Sequence, residues 1–307
     1  MKNSQLLSAQ CLFMVDPIGF GFNEETAKSN SFQQRLKHEQ SSFIETTARK
    51  EFHDFVNTLV KNGVTVETLS GRNDMPDAVF PNNLFSTSVD GTWVDYPMMA
   101  QNRQKERQLG VSEFLTSKGY QITKKIDLTH WENKQCYLEG TGSLILHTPS
   151  KQAWIASSPR AHRVVAEDWS AQTQYTFHFF DTADKQQLPV YHTNVLLSIG
   201  SQWHFVCSEI IKQHNEIEAS LEALSSQRIE LNMDQVYQFS GNVLEVQNAQ
   251  NQPFGVISLS GWNALQPQQK RAWEKFVQPL IVEIPMIEKI GGGSARCMMA
   301  EIYLPYK

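Results

Sequence analysis

Three residues far apart in the chain, Cys297, His192 and Glu139, could together run covalent chemistry at a planar carbon. A cysteine attacks as its thiolate, a histidine moves protons near neutral pH, and a carboxylate orients an imidazole or the nitrogens of a substrate. Cys297 follows Gly291-Gly292-Gly293-Ser294-Ala295-Arg296. Glycine permits a left-handed backbone and close approach of another group, so the run would let a substrate reach the sulfur. Arg296, or a histidine brought from elsewhere, would raise the thiolate fraction. Each residue also has a plainer reading. Cys297 could be a small core residue behind a flexible turn, and His192, flanked by Val190, Tyr191 and Val195, a satisfied core histidine. Glu139, before Gly140-Thr141-Gly142, could be a surface acid. What favours chemistry is that all three fall where a loop meets a strand, the arrangement acyl or amidino transfer requires.

The elements that must position them follow a recurring order of strand, strand, helix, strand. Cys11 to Val15 is an apolar run stopped by Asp16-Pro17, and Ser41 to Asn62 carries Phe43, Phe52, Phe55, Val56 and Leu59 at helical steps. Val64 to Leu69 reads as a strand, and a hairpin turns at Asp90-Gly91. A helix is expected over Arg103 to Lys118, then a strand at Tyr120 to Ile122. Leu144 to His147 pairs with Ala153 to Ala156, and a helix starts near Ala161. Val190 to Gly200 pairs with Trp203 to Cys207, a helix runs from Ile217 to about Leu231, and Val243 to Val246 pairs with Val256 to Leu259. A helix from Pro267 to Val277 precedes the glycines, and a strand from Met298 to Leu304 follows Cys297. Five such cycles suit a closed, radially repeated β/α assembly with its functional loops around one centre.

No linker interrupts the 307 residues, so one domain spanning 1–307 is expected. Hydrophobic residues at 40% and charged residues at 19% exclude a disordered chain. A net charge of -5 with no basic stripe excludes nucleic acid or an anionic membrane as the main partner. Cys11, Cys136, Cys207 and Cys297 are widely spaced, which suggests neither a zinc site, a redox pair nor a disulfide framework. Gln10 and Asp16 break the weak apolar segment near the N-terminus, so no signal peptide is expected and a reducing, cytoplasmic setting is.

Asp77-x-x-Phe80-x-Asn82-Asn83, Leu138-Glu139-Gly140, Ser158-Pro159-Arg160, Tyr191-His192 and Gly292-Gly293-Ser294-Ala295-Arg296-Cys297-Met298 occur in the order found in the guanidino-group-modifying enzymes. In this the chain resembles the superfamily of arginine deiminase, dimethylarginine dimethylaminohydrolase and the amidinotransferases, and most of all the citrulline utilization hydrolases, or citrulline ureidases. The resemblance implies an α/β fold, the five-bladed α/β propeller known as the pentein. It implies Cys297 as nucleophile, His192 as general acid/base and Glu139 as the carboxylate holding the planar group. It further implies Asp77 at the substrate α-amino group, Arg160 and Arg103 facing the α-carboxylate, and Phe80, Asn82 and Asn83 lining the site. No metal or cofactor is implied. The partner is a small amino acid, with a homodimer compatible with that reading.

The sequence departs from the family where Asn82-Asn83 stands in place of Glu-Asp, and where Gly-Thr-Gly-Ser follows Glu139 instead of Gly-Gly-Asp. Both changes remove negative charge and favour neutral citrulline over cationic arginine. A deiminase or dimethylaminohydrolase remains the alternative reaction, and a non-catalytic binding protein on the same fold the alternative of another class.

Overall fold

The computed structural model describes residues 8–36, 41–224 and 226–307. It contains five three-stranded sheets of one design. In each, an edge strand runs antiparallel to a middle strand, and a helical crossover returns the chain as a third strand parallel to the middle one. The sheets are β3 (Phe85–Thr87), β4 (Thr92–Asp95) and β5 (Lys124–Asp127); β6 (Ile145–His147), β7 (Gln152–Ala156) and β8 (Thr176–Phe180); β9 (Leu197–Ile199), β10 (Trp203–Val206) and β11 (Gln227–Glu230); and β12 (Leu244–Gln247), β13 (Pro253–Ser258) and β14 (Gln278–Val282). The fifth joins the chain ends: β15 (Ala300–Ile302) pairs antiparallel with β1 (Cys11–Asp16), Cys11 opposite Ile302, and β1 pairs parallel with β2 (Thr65–Ser70). Edge strands of neighbouring sheets touch, β3 with β15, β6 with β9 and β9 with β12.

Burial follows from this layering. Middle strands are covered on both faces and read as apolar runs, as in Cys11-Leu12-Phe13-Met14-Val15, whereas the third strands β5 and β11 each bury one residue, Ile126 or Ile229, and leave the others exposed or half-buried. The crossover helix Ser41–Lys61 turns Ile44, Ala48, Phe52, Phe55 and Leu59 inward, at steps of three and four that keep one stripe against the sheet. Gly63, at φ +81, closes it. Truncating Phe52 to alanine would cost about 3–5 kcal/mol. Among the described residues no helix is long and apolar enough to cross a membrane.

Several local expectations change. Arg103–Lys118 is not one helix, because Gly110 at φ +66 separates a 3-10 segment, Lys105–Leu109, from the helix Val111–Ser117. The strand expected at Tyr120 begins later, at Lys124. The helix expected to reach Leu231 ends at Glu222 and gives way to β11; Ser225 between them lies outside the described residues. His192 is not within a strand. It precedes the 3-10 turn Thr193–Val195 that leads into β9.

Candidate active site

Cys297 sits in a 3-10 turn, Ala295–Met298, between the helix Pro285–Gly291 and β15. Glu51 accepts the backbone N–H groups of Met286 and Ile287 at 2.9 and 3.0 Å and caps that helix. The helix closes at Gly292, which is left-handed at φ +63. The glycines do admit close neighbours, but those neighbours are protein groups. A Cβ on Gly291 would lie 2.7 Å from the Phe80 ring, and one on Gly292 would lie 2.6 Å from the Gln33 side chain and 2.7 Å from that of Asn30. Arg296 also departs from expectation, because its guanidinium turns to Glu301 at 2.6 Å and to the Met299 carbonyl at 2.8 Å. The groups that do address the sulfur are amides, Asn242 Nδ2 at 3.3 Å and Asn194 Nδ2 at 3.5 Å.

His192 Nε2 lies 2.8 Å from Glu139 Oε2. Glu139 Oε1 accepts the Met99 N–H at 3.0 Å, and Arg160 Nη1 stands 3.5 Å from Oε2. Burial alone would raise the Glu139 carboxyl, but the Arg160 guanidinium, the His192 hydrogen bond and Arg103 overcome it and bring the pKa down from 4.5 to about 2. Burial lowers His192 from 6.5 to about 4, against the pull of Glu139 and with the help of Arg160 and Arg103. An ionised Glu139 opposite a neutral imidazole fixes the tautomer: Nε2–H donates to the carboxylate and Nδ1 keeps its lone pair. Glu139 leads the short helix Gly140–Ser143, which packs directly on the Pro81–Asn83 turn. Only glycine fits at 142, where a Cβ would lie 2.2 Å from Asn83 Nδ2 and 2.8 Å from His192 Nδ1.

Asp77, Asn82 and Asn83 are buried beside this pair. Asp77 Oδ2 accepts from Asn23 Nδ2 at 2.7 Å and Thr26 Oγ1 at 2.9 Å, while Oδ1 has no partner among the described residues. Burial raises the Asp77 carboxyl above its ordinary range, against Arg103 and the two donors. Both amide atoms of Asn82 and Nδ2 of Asn83 are likewise buried without a partner among those residues. Buried polar groups are rarely left so, and four such atoms together mark a place where another molecule's polar groups belong.

The two arginines differ from the simple expectation of free carboxylate ligands. Arg103 donates through Nε to Glu106 at 3.0 Å, through Nη1 to Asn83 Oδ1 at 2.7 Å and through Nη2 to the Phe80 carbonyl at 2.9 Å. Burial works against its charge, but Glu106, Asp77 and Glu139 push its pKa above the ordinary value. Arg160 donates through Nη2 to Ser29 Oγ at 2.8 Å and to the Thr26 carbonyl at 2.9 Å, with its guanidinium over the Tyr191 ring. Those partners belong to a segment around Asn23–Gln33 that also ties Asn30 Nδ2 to the Gly292 carbonyl at 3.1 Å. The segment covers the site, and Cys297 is 2% exposed.

The profile of the family described as N,N dimethylarginine dimethylhydrolase, eukaryotic, matches residues 16–304. The chain belongs to this family. The dimethylarginine dimethylhydrolase match runs from the last residue of β1 to beyond β15, so it takes in every residue of the site described above. No curated protein matches the chain in sequence. The N-terminal domain of ArgZ, an arginine dihydrolase from the ornithine–ammonia cycle in cyanobacteria, solved bound to substrate, superposes with TM-score 0.74 at 12% identity over 95% of this chain and 97% of that one. A DDAH mutant from Pseudomonas aeruginosa complexed with citrulline gives TM-score 0.67 at 13% identity over 96% and 100%. A mutant of AgrE with L-arginine gives TM-score 0.75 at 13% identity, and the chain covers 40% of AgrE's length. At these identities the likeness is one of fold.

Asn194, Asn242, Asn23, Thr26 and Gln33 escape the sequence reading. Asn194, two residues after His192, was the most accessible of them. Asn242, in Ser240-Gly241-Asn242, reads as ordinary turn chemistry.

Proposed function

We propose that the protein is a cysteine hydrolase of carbon–nitrogen bonds that converts L-citrulline to L-ornithine, ammonia and carbon dioxide, on five sheets closed into a single propeller domain. The observation that carries the citrulline reading is the orientation of Asn83. Arg103 holds its Oδ1, so the unpartnered Nδ2 is left to face the Gly142 and His192 side. A free donor suits the ureido oxygen of citrulline and meets no acceptor on a guanidinium.

In this mechanism the thiol proton passes from Cys297 to His192 Nδ1, and the thiolate attacks the ureido carbon. The tetrahedral adduct collapses as the imidazolium protonates the departing ornithine δ-nitrogen, which leaves an S-carbamoyl enzyme. Water, deprotonated by His192, displaces the sulfur, and carbamate then breaks down to ammonia and carbon dioxide. Glu139 holds the imidazole throughout and stabilises its charged form. Asp77 Oδ1 suits an α-ammonium.

A dimethylarginine or arginine hydrolase is the second reading, favoured by the ionised Glu139 beside the site. Incubation with citrulline, arginine and dimethylarginine, with ornithine, citrulline and ammonia assayed, separates the two. Ornithine from citrulline alone is expected; citrulline released from either guanidino substrate overturns the assignment.

A further inference from the structure

We infer that Asn242 is a positioning residue: its carboxamide ties the Cys297 turn to the His192 segment and, with Asn194, turns N–H groups onto the sulfur. The inference rests on the nucleophilic role proposed for Cys297. Asn242 belongs to neither element that carries a reacting group; it lies in the turn before β12 and is fully buried. Its Oδ1 accepts the Arg296 N–H at 3.0 Å, inside the nucleophile turn. Its Nδ2 donates to the Asn194 carbonyl at 3.0 Å, two residues from His192, and to Cys297 Sγ at 3.3 Å. The first two bonds settle which end of the amide is nitrogen, because a backbone N–H must meet oxygen and a backbone carbonyl must meet N–H. The N–H toward the sulfur is therefore dictated by the surrounding backbone.

The turn itself is fixed in place. A Cβ on Gly241 would lie 2.5 Å from the Val195 carbonyl, so the chain at 241 rests directly on the turn that follows His192. Ser240 Oγ donates to the Gly261 carbonyl at 2.8 Å. Around the sulfur the N–H contacts, 3.3 and 3.5 Å, are closer than those a thiol hydrogen would make to the amide oxygens, 3.6 and 3.9 Å. Two N–H donors aimed at one sulfur are placed to hold it as the charge of attack develops, and charge-assisted hydrogen bonds are the stronger kind. None of the amide atoms left without a partner is on Asn242, so it has no group to offer a substrate.

The test is selective alkylation of Cys297 by iodoacetamide at fixed neutral pH, with ultraviolet thiolate absorbance and steady-state kinetics on the same samples. In Asn242→Ala the alkylation rate and kcat are each expected to fall about tenfold, as for one lost hydrogen bond to a charged group, while KM changes less than about twofold. Asn194→Ala keeps the backbone carbonyl that Asn242 uses and removes one donor, so a fall of about threefold is expected in a normally folded protein. A folded Asn242→Ala protein alkylated at the wild-type rate overturns the inference, even if its melting temperature drops. If Asn242→Ala does not fold, Asn194→Ala alkylated at the wild-type rate overturns it. Failure of wild-type Cys297 to react selectively overturns the nucleophile reading itself, whereas turnover of arginine in place of citrulline overturns only the substrate and leaves these readouts in force.

Discussion

Arg103 Nη1 donates to Asn83 Oδ1 at 2.7 Å, so a buried guanidinium decides which end of a neighbouring amide faces the site. Arg103 is itself oriented by Glu106 at 2.9 Å, and neither residue leaves the protein interior. The polarity of the site beside His192 is thus set by an arginine–glutamate pair buried behind Asn83.

Replacing Asn83 by Asp keeps the acceptor for Arg103 and exchanges a donor for negative charge at the position facing the site. Asn83→Asp is expected to lower kcat/KM for citrulline and raise it for arginine, moving their ratio by about tenfold or more, the size of one charge-assisted hydrogen bond. Competition between the two substrates, with ornithine and citrulline quantified, measures the ratio directly. An unchanged ratio would remove the charge argument.

Cys297→Ser leaves a hydroxyl where a thiolate is needed, and among the described residues no general base bonds that atom directly. Turnover is expected to fall by a factor on the order of 10³ or more. The melting temperature should stay close to that of the wild type, since the exchange is nearly isosteric. Retention of full activity would exclude the covalent route.

Five strand-and-helix cycles were legible because the middle strands are continuous apolar runs with glycine, proline or asparagine at their ends. The third strands β8 and β14 were not, since each is half exposed and β14 contains Pro279, tolerated only because it lies at a sheet edge. Cys297, His192 and Glu139 could be proposed from residue type and from falling in loops that lead into strands, although the structure sets them in or beside 3-10 and helical turns. The direction of a long side chain could not. Arg296 is adjacent to Cys297 in sequence yet pairs with Glu301, and Asp16, read in sequence only as the stop of an apolar run, forms a two-pronged pair with Arg49 from the helix above it at 2.9 and 2.8 Å. Such partners meet only when the sheets assemble, which is also why Asn242 passes for a turn residue.

The covering segment makes access to Cys297 depend on a few side-chain bonds. Asn30→Ala removes the bond that ties the segment to the Gly292 carbonyl, worth about 1 kcal/mol, together with the one Asn30 Oδ1 accepts from the Phe32 N–H inside the segment, and leaves every group at the sulfur in place. Labelling of Cys297 by a bulky maleimide should therefore accelerate about fivefold, while labelling by iodoacetamide changes less. Equal acceleration of both reagents would mean that the substitution alters the thiol and not its cover.

Glu139 links the site to acid stability. Its folded pKa of about 2 lies below the ordinary 4.5, so the unfolded chain binds the extra proton between these values. The stability contributed by the ionised carboxylate is complete above pH 4.5 and is lost as pH falls from there through about 2. Glu139→Gln lacks this titration and leaves the buried Arg160 without its anion, a loss of about 3–5 kcal/mol at neutral pH. Urea unfolding of both proteins from neutral pH downward should show a gap that is constant above pH 4.5 and narrows below it. A gap that stays constant through the acid range would mean that Glu139 is not held ionised by Arg160 and His192. The same substitution should cut kcat by a factor of about 10² or more, because the imidazole loses the carboxylate that fixes its tautomer.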